Sequence, residues 1–264
     1  GQPAAAGEEA EPGAVANPPA DAVAPRGPGQ AEPSNFSRDV ALIYEKDDEE
    51  AVNIRKTLES DSWGVHVFDP YRDGSGDRLQ RLQQCNNSQH VLFFLTRTVL
   101  GFLKQGLYAQ TSTLLTSFLD SRMKSHDKKQ DRMILVINFT SEEPPSWLGG
   151  LVELKVDERR KLYRSLTTPK GEGTPTQGQI RLKVEQLEGR LRLLNDGDVN
   201  QLAAALRVPA EVMTDIREQY GGPKARLIEA IECWADRNGE KATMAKLEEV
   251  LQTLTALPQQ NMAT

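Results

Sequence analysis

Cysteine and histidine, the usual zinc ligands and among the commonest nucleophiles and general bases, are sparse in this chain, and their spacing decides what they can do. Cys85 and Cys233 stand far apart, no CxxC pair occurs, and His66, His90 and His126 are isolated. A zinc centre needs about four ligands gathered from short paired spacings, so no metal site is expected, and two distant cysteines make no disulfide framework. The loop Asp69-Pro70-Tyr71-Arg72-Asp73-Gly74-Ser75-Gly76 carries two glycines but lacks the GxxxxGK[ST] pattern of a phosphate loop. A lone Gly-x-Gly does not define a nucleotide site. Pro70 stiffens the chain at the loop's start, while Gly74 and Gly76 permit a turn that side chains would forbid. The basic residues Arg122, Lys124, Lys128, Lys129 and Arg132 are interrupted by Asp127 and Asp131, as in a solvated loop. With a net charge of -6 and a pI near 5.3, the chain offers no broad basic face for nucleic acid.

Four short apolar runs must position these residues. Val40–Tyr44, Val65–Phe68, Val91–Leu95 and Met133–Ile137 read as strands, separated by helical stretches that include 52–63 and Asp77–Asn87. The last three runs are nearly continuous rather than alternating, the pattern of strands buried on both faces of a parallel sheet. Strands alternating with helices give a doubly wound α/β domain over 37–166. In such sheets functional loops lie beyond the carboxyl ends of the strands, which is where Asp69–Gly76 falls. Residues 1–36, rich in Ala, Pro, Gly and Glu, hold too little apolar surface to offset ordering entropy and are expected as a disordered tail.

Residues 167–179, with Thr, Pro and Gly dominant, read as a linker. Beyond it, 180–257 reads as an all-α bundle, with helices starting near Ile180 and spanning 198–206, 210–220, 224–238 and 243–254, followed by a tail over 258–264. Leu227, Ile228, Ile231 and Trp234 recur at helical spacing until Asn238-Gly239 stops the pattern, and Thr243 then caps a helix with Met244, Leu247, Val250, Leu251 and Leu254 on its apolar face. Trp234, a large aromatic on an apolar stripe, is expected in the core.

The first domain resembles a Toll/interleukin-receptor (TIR) domain over about Asp39 to Leu166, with the related receptor-adaptor branch called SEFIR as the alternative. Asp-Val-Ala-Leu-Ile-Tyr at 39–44 is similar to the family's first box. Tyr71, Arg72, Asp73, Gly74 and Gly76 are similar to its second, the BB loop, which in that family is a principal surface for TIR–TIR association. The Phe-Trp pair of the third box is not found after 152–156, and Trp147 lies in the preceding loop. The stretch from about Val199 to Leu254 resembles a death domain, on the succession Leu202–Leu206, Val212, Ile216-Arg217, Trp234, Arg237-Asn238-Gly239, Ala242-Thr243, Leu247 and Leu251. Arg217, Glu218, Arg226, Glu229, Asp236 and Arg237 are then the exposed candidates for the charged patches by which such domains stack, most of them expected to be ordinary solvated residues.

Some TIR domains cleave NAD with a glutamate on the helix after the third strand. The corresponding stretch, 102–123, contains no glutamate; Gln110 is nearest, and Asp120 lies about three turns further on, roughly 15 Å away. An amide cannot serve as a carboxylate base. The expectation is therefore a signalling adaptor in innate immune or cell-death signalling, with no catalytic residue and no cofactor. It would join a TIR-domain receptor or adaptor to a death-domain protein by homo- or hetero-oligomeric assembly. The alternative is an NAD-cleaving TIR enzyme clustered by its death domain. A cytoplasmic location is expected, because Val91–Leu95, the longest compact apolar run, is too short to cross a bilayer and Gly1 begins no charged-then-apolar leader.

Overall fold

In the computed structural model the described residues are 38–107, 111–124, 134–148, 151–191 and 194–256. The expected tails at 1–36 and 258–264 lie outside them. A five-stranded parallel sheet has the order β2-β1-β3-β4-β5, formed by β1 (Arg38–Ile43), β2 (Val67–Phe68), β3 (Ser88–Leu95), β4 (Ile134–Asn138) and β5 (Val152–Lys155). Central pairings set Val40 opposite both Val67 and His90, Leu92 opposite Leu135, and Ile137 opposite Leu154.

Period-two alternation sends Val40, Leu42, Leu92, Phe94, Leu135 and Ile137 to one core, and Ala41, Ile43, Val91, Phe93, Ile134 and Val136 to the other. Both sets are apolar because both faces are covered, which is why the strands read as unbroken apolar runs. Helix α1 (Glu49–Glu59) covers the first face with Ala51, Ile54 and Leu58, and α2 (Arg78–Asn86), α3 (Arg97–Lys104) and α4 (Thr113–Lys124) cover the second. Asp48 caps α1, and Asp77 with Gln80 forms a capping box on α2, so these helices start where their sequences supply oxygens for the first free N–H groups.

Helix α5 (Arg159–Ser165) completes the first face with Leu162 and Tyr163, the latter edge-on to Trp63 at 5.5 Å between ring centroids. Five more helices follow: α6 (Gln177–Arg190), α7 (Asp196–Ala205), α8 (Ala210–Gln219), α9 (Pro223–Asn238) and α10 (Met244–Ala256). Trp234, 5% exposed, sits among their buried residues with Leu227, Ile231, Leu247 and Val250. Thr243 accepts a hydrogen bond from the Lys246 N–H, capping α10 as its sequence requires.

Three expectations are revised. The single helix expected over 102–123 is two, α3 and α4, with Gly106 at φ 69° just after α3. The residues 177–179 expected in the linker form the first turn of α6, because Thr176 and Gln179 make a capping box. The helical half is not held apart by a free connection: its core is continuous with the first face of the sheet through α5, and the described residues belong to one compact unit. The segment 167–176 is fastened along its length, with Thr168 N–H donating to Asp236 O at 3.4 Å, Glu240 N–H to Pro169 O at 2.9 Å and Met244 N–H to Gly173 O at 3.1 Å. Backbone amides make these bonds, so the composition that suggested a loose linker carries no sign of them.

Candidate functional site

The loop after β2 grows from Asp69, which is fully buried. Its carboxylate accepts the Tyr44 hydroxyl at 3.0 Å to each oxygen, the Tyr71 N–H at 3.0 Å and the Arg55 guanidinium of α1. Its carbonyl receives the N–H groups of Arg72 and Asp73, and its own N–H donates to the Asp73 side chain at 3.0 Å. Burial, and then the neighbouring Asp69 charge, raise the Tyr44 phenol well above the ordinary tyrosine value. Burial pushes Tyr71 up to about 12, so both phenols remain hydrogen-bond donors. Tyr71 carries its hydroxyl to Tyr44 O at 3.0 Å and Ser112 Oγ at 2.7 Å, and the Ser112 N–H donates to Glu45 at 2.8 Å. These bonds tie the loop to the carboxyl end of β1 and to the segment before α4.

The far end of the loop is held as well. A Cβ at Gly74 would lie 2.4 Å from Pro70 O, and Gly76 has φ +81° with the Gln80 side chain where a Cβ would go. Both positions therefore require glycine. The Ser75 N–H donates to Gln84 at 3.2 Å. Arg72 pairs with Asp73 and Glu59, at 2.7 Å each, yet its side chain is 45% exposed. Arg72, Asp73, Ser75, Gly76 and the apolar Leu79 (58% exposed) form an outward surface of fixed shape.

The buried Asp69 has its oxygens engaged and its access closed, so it is a structural anchor rather than a proton acceptor for a substrate. Gln110, with Tyr108 and Ala109, lies outside the described residues; Asp120 lies on α4, half-buried. Among the described residues no group of three or more His, Cys, Asp or Glu is placed to hold a metal ion, and no helix is long and apolar enough to cross a membrane.

The charges expected on the helical surface divide into two groups. Arg217 and Glu218 are exposed, with Arg217 donating to Asn200 at 2.7 Å; Arg226, expected to be exposed, is half-buried, because it folds onto Tyr220 O at 2.9 Å and Asp196 at 2.8 Å. The expectation of exposure fails for the others: Glu229 is 5% and Arg237 7% exposed, and Asp236 is half-buried. The reason is that α9 docks on α5. Arg160 meets Glu229 at 2.5 Å, and Arg164 reaches Glu229 at 2.9 Å and Asp236 at 2.7 Å. Lys170 meets Asp236 at 2.7 Å, and Arg237 reaches Asp39 at 3.2 Å, at the start of β1. Burial alone would raise the Glu229 pKa, but the Arg160 hydrogen bond and the Arg164 charge outweigh it and hold the group below the usual carboxylate range. Burial and the Glu229 charge push the Cys233 thiol up and keep it protonated and unreactive.

The sequence reading passed over Tyr44, Arg55, Ser112, Arg160 and Arg164. A signal was present for the last two: Arg160 and Arg164 are four apart, and Glu229, Glu232 and Asp236 are three and four apart, so each set lines one helical face. Protein-family models, curated proteins and solved structures yield no match to this chain.

Proposed function

We propose that the protein is a cytoplasmic signalling adaptor, a TIR-like α/β half joined to a death-domain-like helical half. It couples a TIR-type receptor or adaptor to a death-domain protein by oligomeric assembly in innate immune or cell-death signalling. The observation that carries this reading is the loop Asp69–Gly76: clamped from beneath by a buried carboxylate, it presents an exposed, pre-shaped surface. A surface ordered before its partner arrives loses little entropy on binding, which suits recognition. The helical half contributes the exposed Arg217 and Glu218.

The test is self-association of the full chain and its binding to TIR domains, measured by sedimentation and by titration with and without Arg72→Glu and Leu79→Ser. Neither side chain holds the loop's buried frame, so loss of association with unchanged folding supports the reading. Unchanged association in both variants, or NAD turnover by the full chain, overturns it.

A further inference from the structure

Of the 15 prolines in the chain, two follow a serine or threonine: Pro169 after Thr168 and Pro175 after Thr174. Both lie in the segment 167–176 that straps the helical half to the α/β half. The Thr168 hydroxyl donates to Arg237 O at 3.1 Å. The Thr174 hydroxyl donates to Gly239 O at 2.8 Å and accepts the Gly171 N–H at 3.1 Å. The two hydroxyls therefore close on the turn that ends α9. On its other side the strap meets the sheet, where the Thr167 carbonyl lies 3.0 Å from His90 Nε2.

The space around these hydroxyls is filled. A Cβ at Gly239 would lie 2.2 Å from Thr168 Oγ1 and 2.3 Å from Pro169 O, so the contact has no room for a methyl group, still less a phosphate. The charges facing it are already matched: Lys170 and Arg164 with Asp236, and Arg237 with Asp39. A new dianion at either threonine removes a donor, sets anionic oxygens against the carbonyls of Arg237 and Gly239, and competes with Asp236 for Lys170.

From these contacts we infer that Thr168 and Thr174 are acceptor sites for a proline-directed protein kinase, and that their phosphorylation releases the turn at the end of α9 from the strap. In the transfer each Oγ1 attacks the γ-phosphorus of a nucleoside triphosphate and the bond from that phosphorus to the β-phosphate oxygen breaks. The hydroxyl proton passes to the kinase's base, and a nucleoside diphosphate leaves. Thr174 is 8% exposed and Thr168 half-buried, so the kinase acts on the strap when it has lifted. The phosphate then prevents its return, and the modification records the open form. Opening frees Asp236 from Lys170 of the strap, while Arg160 and Arg164 of α5 still face Glu229 and Glu232. The inference stands apart from the adaptor reading, because its readouts are phosphate position and docking.

The experiment treats the full chain with a proline-directed serine/threonine kinase, magnesium and ATP, maps phosphate by peptide mass, and follows amide exchange at 229–244 against the sheet core at 88–95. Phosphate is expected at Thr168 and Thr174, with faster exchange at 229–244 and unchanged exchange at 88–95. Arg160→Glu, which loosens the junction, should raise the modification rate roughly fivefold or more. The chain with Pro169→Ala and Pro175→Ala keeps both hydroxyls and should stay unmodified there and docked. Absence of phosphate at both threonines in the wild type and in Arg160→Glu overturns the assignment as an acceptor site. Phosphate there with unchanged exchange at 229–244 overturns the release.

Discussion

Glu229→Gln isolates the charge at the centre of the junction. The substitution keeps the side chain's size and one acceptor oxygen but removes the carboxylate that faces Arg160 at 2.5 Å and Arg164 at 2.9 Å. Arg164 retains Asp236 at 2.7 Å, whereas Arg160, 13% exposed at its side chain, loses its ion-pair partner. Removing one partner of a buried pair costs about 3–5 kcal/mol. Arg164 is 30% exposed and keeps a second carboxylate, so its share is reduced by solvent screening. The sum is about 2–4 kcal/mol near neutral pH, which at a urea m-value of about 2 kcal/mol/M lowers the midpoint by roughly 1–2 M. The pH dependence gives an independent check. Glu229 in the folded chain titrates below its reference value of 4.5, so its contribution is present above that pH and is lost as pH falls through the folded value. Urea titrations of both chains should differ by a constant amount from pH 6 to 8 and converge in acid. A difference under about 0.5 kcal/mol at neutral pH, or one that persists undiminished below the folded value, would refute the account of the junction.

Asp69→Asn should free the loop, costing about 2–3 kcal/mol because Arg55 loses the buried Asp69 carboxylate and keeps only Glu59, at 3.8 Å, and raising amide exchange at 69–76. His90 is held below its reference value of 6.5 by burial first, with Arg237 adding to this and the Thr167 carbonyl and Asp39 opposing it. The unfolded chain therefore binds more protons, and stability should fall as pH drops from 6.5 toward the folded value; calorimetry of His90→Gln should lack that slope. Gly239→Ala places a methyl group against Thr168 Oγ1 at a φ of +51°, and should lower the denaturation midpoint by the equivalent of about 1–3 kcal/mol. Arg72→Glu and Arg160→Glu alter separate regions, so in the double variant their effects on stability should add to within about 0.5 kcal/mol, checked by equilibrium denaturation.

The sheet was legible because burial on both faces leaves an unbroken apolar signature, as Val91–Leu95 shows. The bundle helices were legible from amphipathic spacing and from stops and starts such as Gly239 and Thr243. From the run at 65–68 only a two-residue β2 forms, at the sheet's edge against β1. The docking of the two halves was not legible. Arg160 and Glu229 are 69 residues apart, and on its own helix each looks like a charge facing water. Position within an amphipathic helix tells which face is apolar, but not whether the polar face meets solvent or a complementary set of charges. The loop showed the same limit: Gly74 and Gly76 announced a turn, while the Asp69 clamp depends on Tyr44 and Arg55, which come from other elements.

The junction and the loop occupy opposite ends of the same sheet. Arg237 meets Asp39 at the start of β1, and His90 and Thr167 meet near the start of β3, whereas Tyr44 and Tyr71 hold the loop beyond the carboxyl end of β1. A strand of this length spans roughly 20 Å, so a partner seated on Arg72 and Leu79 does not collide with the docked α9. Under the adaptor function proposed above, this arrangement would have a mechanical consequence. The loop end is available while the halves are closed, but Glu229, Glu232 and Asp236 become available only when Arg160 and Arg164 let go. Engagement of the first partner and exposure of the second surface are then separate events, each set by its own contacts, and the order of assembly follows from which surface is covered at rest.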